Sequence, residues 1–218
     1  MVNPVVRLGH QVLRIDYVYD FYQNLVGGVK YRDKFVKGII DTPDSAINVI
    51  DLGSGTSEIA KVLKPSQNYI GLDNSQEYLN KATRRRFSCS SFKVFNYDLS
   101  SAGWSDLVKP QFTTKNSINA MALGLLHHLN DAAVNTLLQE VQKTFRDGGS
   151  IHTVDPIITE DSTPIARWFA KNDRGQFVRS EEHLKDIFEK NGFKTQIRIM
   201  KKQFRIPLDT IEITAIPK

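Results

Sequence analysis

The chain is poor in cysteine, with Cys89 as its single thiol, and it has three methionines and five histidines among 218 residues. One cysteine excludes an intramolecular disulfide, a zinc ribbon and a CxxC redox site. Among the histidines only His127 and His128 are neighbours, and adjacent residues seldom ligate one metal ion, so no metal site is expected. The composition therefore predicts a protein of a reducing compartment, which we take to be the cytoplasm.

Long apolar segments and a secretion signal are also missing. No apolar run approaches the roughly 18 residues that a membrane helix needs, and Arg7, Arg14 and Asp16 would interrupt the apolar core of a signal peptide. The net charge is only +5, from 29 basic and 24 acidic residues. Because this charge is too low for a protein that coats nucleic acid, nucleic acid is not an expected partner.

The chain does have the composition of a globular domain, with 40% hydrophobic and 24% charged residues. Its length favours one domain with an appendage over two domains. We predict an N-terminal helical cap over residues 1–44 and the main domain over residues 45–218.

From residue 46 onward, short apolar strands alternate with amphipathic helices. The alternation predicts an α/β fold with a doubly wound, mostly parallel sheet. The last two strands have no helix between them and are expected to pair antiparallel. Asn74, with Glu77 three residues later, is expected to cap the helix that follows. Strands are predicted at 46–51, 68–73, 92–95, 118–123, 150–154, 193–201 and 209–216. Helices are predicted at 11–26, at 30–40, from the glycine turn through Leu63, at 75–87, at 131–146 and from Ser180 to Asn191.

The segment with the clearest chemistry is Asn48-Val-Ile-Asp-Leu-Gly-Ser-Gly-Thr-Ser-Glu58. A buried strand ends there, Gly53 and Gly55 let the backbone approach a ligand, and a helix follows. This order is typical of a nucleotide site at the carboxyl end of a strand. Asp73 ends the next strand 20 residues after Gly53, which is close to the spacing of a ribose-binding carboxylate. No Gly-Lys-Ser/Thr run follows the loop, so a P-loop is excluded.

Two carboxylates beside the glycines indicate which ligand the loop favours. Asp51 precedes the glycines, and Glu58 stands where a dinucleotide site has its third glycine. Both acids would repel a pyrophosphate, whereas a cationic cofactor would tolerate or prefer them. S-adenosylmethionine carries a sulfonium, an ammonium and one carboxylate, and three acids at strand ends suit that ligand: Asp51, Asp73 and Asp98.

Five motifs make the chain resemble the class I S-adenosylmethionine-dependent methyltransferases. The resemblance covers about residues 46–155 and implies a seven-stranded sheet in the order 3-2-1-4-5-7-6. The sequence departs from the family at Ser57, where many members have a third glycine, and at 112–121, which lacks the aromatic-Asp pair that begins strand four in many members. The motifs are Val-Ile-Asp-Leu-Gly-Ser-Gly-Thr (49–56), Ile-Gly-Leu-Asp-Asn-Ser (70–75), Asn-Tyr-Asp-Leu (96–99), Leu-Gly-Leu-Leu-His-His-Leu-Asn-Asp (123–131) and Phe-Arg-Asp-Gly-Gly (145–149).

The resemblance also implies a set of residues that bind the cofactor. The methionine half would lie along the glycine loop and the backbone after strand four, with Tyr22 and Arg32 of the N-terminal helices as candidates to cover it. Asp73 would accept hydrogen bonds from both ribose hydroxyls, and Asp98 would read the adenine edge. The complete predicted set is Asp51, Gly53, Ser54, Gly55, Asp73, Asn74, Asp98, Leu99, Leu123, Gly124, Tyr22 and Arg32.

Two residues are candidates for a general base. The Leu-His-His-Leu pattern at 126–129 is similar to plant-type O-methyltransferases, in which a histidine after strand four is the base. It is also similar to small-molecule methyltransferases in which the histidine is structural, so both interpretations stay open for His127. Asp155, at the end of strand five, is the other candidate.

The connection 155–179 leaves the carboxyl end of strand five, and its length predicts a lid or pocket wall. Its Arg-Trp…Asp-Arg-Gly-x-x-Val-Arg pattern is loosely similar to methyltransferases of bacterial polysaccharide and natural-product pathways. Asp155, Asp173 and Arg174 would then bind hydroxyls or a phosphate of a sugar-like acceptor, although Asp173 and Arg174 also suit a structural loop pair. Trp168 and Phe169 suit either a substrate wall or packing.

The predicted function is methyl transfer from S-adenosylmethionine to a small-molecule acceptor, with a hydroxyl of a sugar-like or natural-product molecule as the expected site. One alternative is an RNA methyltransferase, although Arg84–Arg86 fit a solvated helix end better than an RNA contact. The others are a non-catalytic subunit that binds the cofactor or activates a partner, and a nicotinamide-dependent oxidoreductase.

Overall fold

A computed structural model describes residues 28–41, 48–112, 118–145, 148–172, 175–201 and 208–218 of the chain. Several sequence predictions fall elsewhere. The predicted helix at 11–26 with Tyr22, the acceptor candidates Asp173 and Arg174, and the side chain of Phe169 lie outside the described residues.

A seven-stranded sheet organises the molecule, with strand order β3-β2-β1-β4-β5-β7-β6. The first five strands are parallel to their neighbours, and β7 is antiparallel to both β5 and β6. The predicted doubly wound sheet and its terminal hairpin are therefore confirmed. The strands are β1 Asn48–Leu52, β2 Asn68–Asp73, β3 Ser91–Asn96, β4 Ile118–Leu123, β5 Gly149–Pro156, β6 Phe193–Met200 and β7 Thr210–Pro217.

The described chain contains six α-helices, the first before β1 and the other five between strands. Asn130 caps α4, its side chain accepting from the Ala133 amide at 2.9 Å, and Ser180 caps α6 as predicted. Within the described ranges, no helix has the length and apolar character needed to cross a membrane. The helices are α1 Gly28–Ile40, α2 Gln76–Thr83, α3 Trp104–Val108, α4 Asp131–Thr144, α5 Pro164–Asn172 and α6 Glu181–Lys190, with 3-10 turns at Glu58–Val62, Lys109–Gln111 and Leu126–His128.

Two predicted helices differ from the structure at their ends. The helix expected through Leu63 is a 3-10 turn, because Pro65 disfavours helical backbone at Lys64 and Leu63 is already extended. The helix after β2 is capped by Ser75, whose hydroxyl accepts from the Tyr78 amide, and not by Asn74. It ends at Thr83, earlier than predicted.

Helices cover both faces of the sheet. On one face α3, α4 and α6 pack on the strands through Trp104, Leu137 and Phe188. On the other face α1 packs through Val36 and Ile40. Each such fully buried apolar side chain stabilises the fold by about 1.5–3 kcal/mol. The two side chains of α1 therefore hold this helix directly against the sheet.

A polar chain crosses three strands on the α1 side of the sheet. The Ser150 hydroxyl contacts Asn119 Oδ1 at 2.9 Å and His152 Nε2 at 2.7 Å, and His152 Nδ1 lies 3.1 Å from Thr214 Oγ1. Burial lowers the pKa of His152 from 6.5 to about 4. His152 is therefore neutral in the folded protein at neutral pH.

We expect this histidine to make the fold sensitive to acid. Its folded pKa is about 4 and its unfolded value 6.5, so the unfolded chain takes up the proton first as pH falls. The contribution of neutral His152 to the free energy of unfolding is fully present above about pH 6.5. It is lost as the pH falls from 6.5 to 4, and about 2 kcal/mol of it is lost at pH 5. Urea unfolding at pH 7 and pH 5 measures this loss. His152→Gln should reduce the difference between the two pH values, and an equal difference in both proteins would contradict the prediction.

Candidate active site

A cleft of about 690 Å³ opens where β1, β2 and β4 end. Its walls come from the glycine loop after β1, the turns after β2, β3 and β4, and α1. This volume lies in the range of sites for cofactors and other small molecules.

Every predicted cofactor residue in the described part of the chain lines this cleft. The individual contacts of these residues with a cofactor stay predictions. The residues brought together are Arg32, Asp51, Gly53, Ser54, Gly55, Asp73, Asn74, Asp98, Leu99, Leu123 and Gly124.

Several other residues that line the cleft were not predicted from the sequence. Tyr78 lies one helical turn after the cap of α2, and Tyr97 precedes Asp98 in the third motif. Their positions next to residues of the motifs are the signal by which the sequence could have identified them as lining residues. His128 lines the cleft, whereas His127 was the histidine predicted to act there.

The glycine loop has left-handed backbone at alternate residues, with φ of 73° at Gly53, 51° at Gly55 and 59° at Ser57. A Cβ at Gly53 would lie 2.9 Å from Leu125 Cδ1, so the loop and the turn after β4 approach more closely than a side chain allows. Ser57 keeps the conformation that suits the family's third glycine, at a cost of about 1 kcal/mol. The departure at Ser57 thus leaves the loop geometry intact.

Asp73 joins the glycine loop to the end of β2. Its Oδ2 accepts from the Gly55 amide at 2.8 Å, and its Oδ1 accepts from the Ser75 amide at 2.8 Å. A carboxylate has about four acceptor sites, so each oxygen retains capacity for a further donor. The two amides therefore fix the orientation of the Asp73 carboxylate at the cleft.

Asp51 lies buried at the base of the cleft, where it accepts from the Tyr69 hydroxyl at 2.7 Å. Burial raises the pKa of Asp51 to about 7, although the Tyr69 hydrogen bond and the Arg32 charge act in the opposite direction. Asp51 is therefore not a permanent anion at neutral pH.

Glu58 is surrounded by cations. It pairs with Arg85 and with Lys61 Nζ at 2.6 Å, and Arg32 Nη2 lies 3.8 Å away. Burial alone would raise the pKa of Glu58, but hydrogen bonds from Lys61 and Arg85 outweigh it and lower the pKa. These cations offset the charge of Glu58, which the prediction that Glu58 repels a pyrophosphate did not take into account.

Arg85 was predicted to belong to a solvated helix end, and this prediction is wrong. Its Nη1 donates to the Thr56 carbonyl at 3.0 Å and contacts the Glu58 carboxylate. Because both acceptors belong to the glycine loop, Arg85 braces that loop from the end of α2.

Asp98 is an exposed residue that both lines the cleft and forms a turn. Its Oδ1 accepts from the amide of Ser100 at 2.9 Å and from the hydroxyl of Ser100 at 2.7 Å. Hydrogen bonds from this hydroxyl and amide lower the pKa of Asp98. The carboxylate is thus ionised and held at the rim beside Leu99.

The two candidate bases, His127 and Asp155, form a buried pair next to the cleft. His127 Nδ1 lies 2.8 Å from Asp155 Oδ1, which also accepts from the His127 amide at 3.1 Å. The Cε1 edge of the imidazole faces Gly124, and the Cδ2 edge faces Gly175. Because Nε2 lies between Cε1 and Cδ2, it is directed toward the junction of these two glycines. The ring of His128 packs against that of His127, with centroids 4.1 Å apart and an angle of 40° between the ring planes.

The connection 155–179 contains α5 and then runs back over His127. Trp168 of α5 is 56% exposed, so it does not pack into the core of the described chain. Asp155 Oδ2 is buried and accepts no hydrogen bond from the described residues. Within the described ranges, no group of three or more His, Cys, Asp or Glu side chains is placed to hold a metal ion.

Comparison with known proteins identifies the family. Residues 43–200 match the family described as the methyltransferase domain, whereas no curated protein sequence matches the chain. Three solved structures share the fold at low sequence identity. A SAM dependent methyltransferase from Archaeoglobus fulgidus has a TM-score of 0.65 and 16% identity, over 91% of this chain and 99% of that one.

The other two structures are enzymes crystallised with S-adenosylhomocysteine. The 1,6-didemethyltoxoflavin-N1-methyltransferase of Burkholderia thailandensis has a TM-score of 0.62 and 16% identity, over 100% of this chain and 92% of that one. The magnesium protoporphyrin IX methyltransferase of Synechocystis has a TM-score of 0.61 and 15% identity, over 91% and 87%. The match covers well over half of the chain, and the sheet has the strand order that the motifs implied. The chain therefore belongs to the methyltransferase domain family, as a class I S-adenosylmethionine-dependent methyltransferase.

Proposed function

We propose that the enzyme methylates a hydroxyl of a small-molecule acceptor, of a sugar-like or natural-product kind. The observation that carries this proposal is the His127–Asp155 pair beside Gly124. A histidine whose Nδ1 is held by a buried carboxylate has the geometry of an oriented general base. An amine acceptor would need no such base.

The cleft fits S-adenosylmethionine. Gly53 and Gly55 of its left-handed loop have no side chain to block a ligand, and two amides orient the Asp73 carboxylate. We assign Asp73 to the ribose hydroxyls, with Asn74, Asp98 and Leu99 at the adenine. The methionine end is assigned to Asp51, Gly53, Ser54, Gly55, Leu123, Gly124 and Arg32.

When bound, S-adenosylmethionine supplies a methyl group on a sulfonium, which becomes the neutral thioether of S-adenosylhomocysteine. His127 accepts the hydroxyl proton at Nε2 as the acceptor oxygen attacks. Asp155 stabilises the imidazolium through Nδ1 and keeps the ring in one orientation. Burial of the pair excludes water, which strengthens this stabilisation.

Two structural neighbours support a small-molecule acceptor, since their names specify a toxoflavin precursor and a porphyrin as substrates. An RNA acceptor is less favoured, because Arg85, one of the three arginines weighed as an RNA contact, is engaged with the glycine loop. Residues 1–44 remain our proposed cap, with Tyr22 over the methionine end. The single cysteine remains the basis for placing the enzyme in the cytoplasm.

The proposal is tested in two steps with the purified chain. Calorimetry with S-adenosylmethionine and S-adenosylhomocysteine measures cofactor binding. Mass spectrometry then measures methyl addition to a library of hydroxyl, amine and thiol compounds. We expect methylated hydroxyl products that His127→Gln and Asp155→Asn abolish while both variants still bind the cofactor. Products confined to amines, or full activity in both variants, would refute the proposed chemistry.

A further inference from the structure

We propose that Arg179 is a positioning residue, which fixes the turn carrying His127 and His128 against the end of the connection 155–179. The inference rests on the proposed function, because it extends the machinery around the proposed base.

Arg179 binds the turn through most of its guanidinium group. Its side chain is only 5% exposed. Nη1 donates to the carbonyls of Leu126 at 2.8 Å and Phe177 at 3.0 Å, and Nη2 donates to the carbonyl of Leu129 at 2.5 Å. Nε donates to Asp131 Oδ1 at 2.8 Å. A planar guanidinium can satisfy these acceptors together, whereas a lysine ammonium cannot reproduce the fork.

The bound carbonyls belong to a short turn that Arg179 reinforces from outside. The 3-10 helix Leu126–His128 has three residues. Its Leu126 carbonyl accepts from the Leu129 amide at 3.2 Å within the turn and also from Arg179 Nη1. Leu126 and Leu129 flank the two histidines on either side. Arg179 supplies donors from the connection, while Asp155 accepts from the His127 amide on the sheet side.

A further hydrogen bond ties the same two segments together. The Phe177 amide donates to the His127 carbonyl at 3.0 Å. The turn also contributes His128 and Leu129 to the cofactor cleft. A change at Arg179 is therefore expected to reach both the proposed base and the cofactor.

Arg167 provides a matched control on the same connection. It also donates to three backbone carbonyls, those of Ser162 at 3.1 Å, Thr159 at 2.8 Å and Glu160 at 2.7 Å. All three acceptors lie outside the histidine turn. Arg167→Lys therefore shows the effect of losing an arginine that binds loop carbonyls. Any additional effect of Arg179→Lys comes from losing the contact with the histidine turn.

The experiment compares Arg179→Lys with Arg167→Lys in the full chain. Calorimetry measures affinity for S-adenosylhomocysteine, and NMR records the Cε1–H signals of the histidines. We expect Arg179→Lys to raise the dissociation constant about tenfold and to shift the His127 signal. The His152 signal should stay in place as an internal reference. Arg167→Lys should change neither readout, whatever either variant does to the melting temperature.

Unchanged affinity together with an unmoved His127 signal in Arg179→Lys would overturn the inference. A wild-type protein that binds no S-adenosylhomocysteine would instead contradict the proposed function, and the His127 signal would still test the inference. If circular dichroism shows that Arg179→Lys does not fold, Asp131→Asn is the second variant: it weakens the Nε contact of Arg179 and the contact of Asp131 Oδ2 with His183 Nε2, and it leaves the carbonyl contacts of Arg179 in place. It should move the His127 signal by a smaller amount, and no movement would refute the inference.

Discussion

Replacing Asp73 by alanine is expected to weaken binding of S-adenosylmethionine and S-adenosylhomocysteine by about 100-fold or more. The variant loses the carboxylate that we assign to the two ribose hydroxyls, and each hydrogen bond to a carboxylate contributes about 1.5–3 kcal/mol. It also leaves the amides of Gly55 and Ser75 without the carboxylate that holds them. The loop would then lose part of its preorganised shape. Isothermal titration of both ligands measures the effect.

Glu77→Ala is the matched control for this experiment. Glu77 is a 71% exposed carboxylate four residues farther along, where it pairs with Lys81 on the surface of α2. Its removal should leave cofactor affinity unchanged, which separates a specific loss from a general loss of negative charge. Asp73→Ala protein that is folded and binds as tightly as wild type would contradict the assignment of Asp73.

Replacing Gly175 by alanine is expected to lower the free energy of unfolding by about 2–3 kcal/mol and to abolish methyl transfer. The new Cβ would lie 1.9 Å from His127 Cδ2 and 2.7 Å from the His127 carbonyl oxygen. Neither the buried ring nor the backbone oxygen can yield cheaply, because Asp155 holds the ring from the other side. Urea unfolding and the methyl-transfer assay measure the two losses.

Gly38→Ala serves as the control for Gly175→Ala. An added Cβ at Gly38 meets nothing within 4 Å, and Gly38 lies within α1. Alanine there should raise stability by about 0.5–1 kcal/mol through better helix propensity. If Gly175→Ala unfolds at the same urea concentration as the wild type, as a neutral alanine substitution would, the prediction for Gly175 is wrong.

The sheet could be predicted because its buried strands are recognisable by their apolar residues. The strand predicted at 118–123 coincides with β4, which is apolar except for Asn119 and is buried between two other strands. Likewise, Gly53 and Asp73 could be predicted because Gly53 directly follows β1 and Asp73 ends β2. The short α3 could not be found in this way, because Trp104–Val108 is little longer than one turn and shows no periodicity.

The charge distribution of the site could not be predicted from the order of residues. Glu58 was expected to make the loop electronegative, yet Arg85 lies beside it from 27 positions away. Similarly, nothing in the Leu-His-His-Leu pattern indicates which histidine lines the cleft and which is buried against Asp155. These facts depend on long-range packing, which places side chains from separate elements together.

The position of β7 between β5 and β6 constrains the order in which the chain completes its sheet during synthesis. β6 emerges from the ribosome first, but the neighbour with which it pairs is made only afterwards. Until then the outer edge of β5 stays open, and the half-apolar β6 has no strand to join. Until β7 is made, the nascent chain therefore exposes the outer edge of β5 and both edges of β6 to edge-to-edge association with other chains.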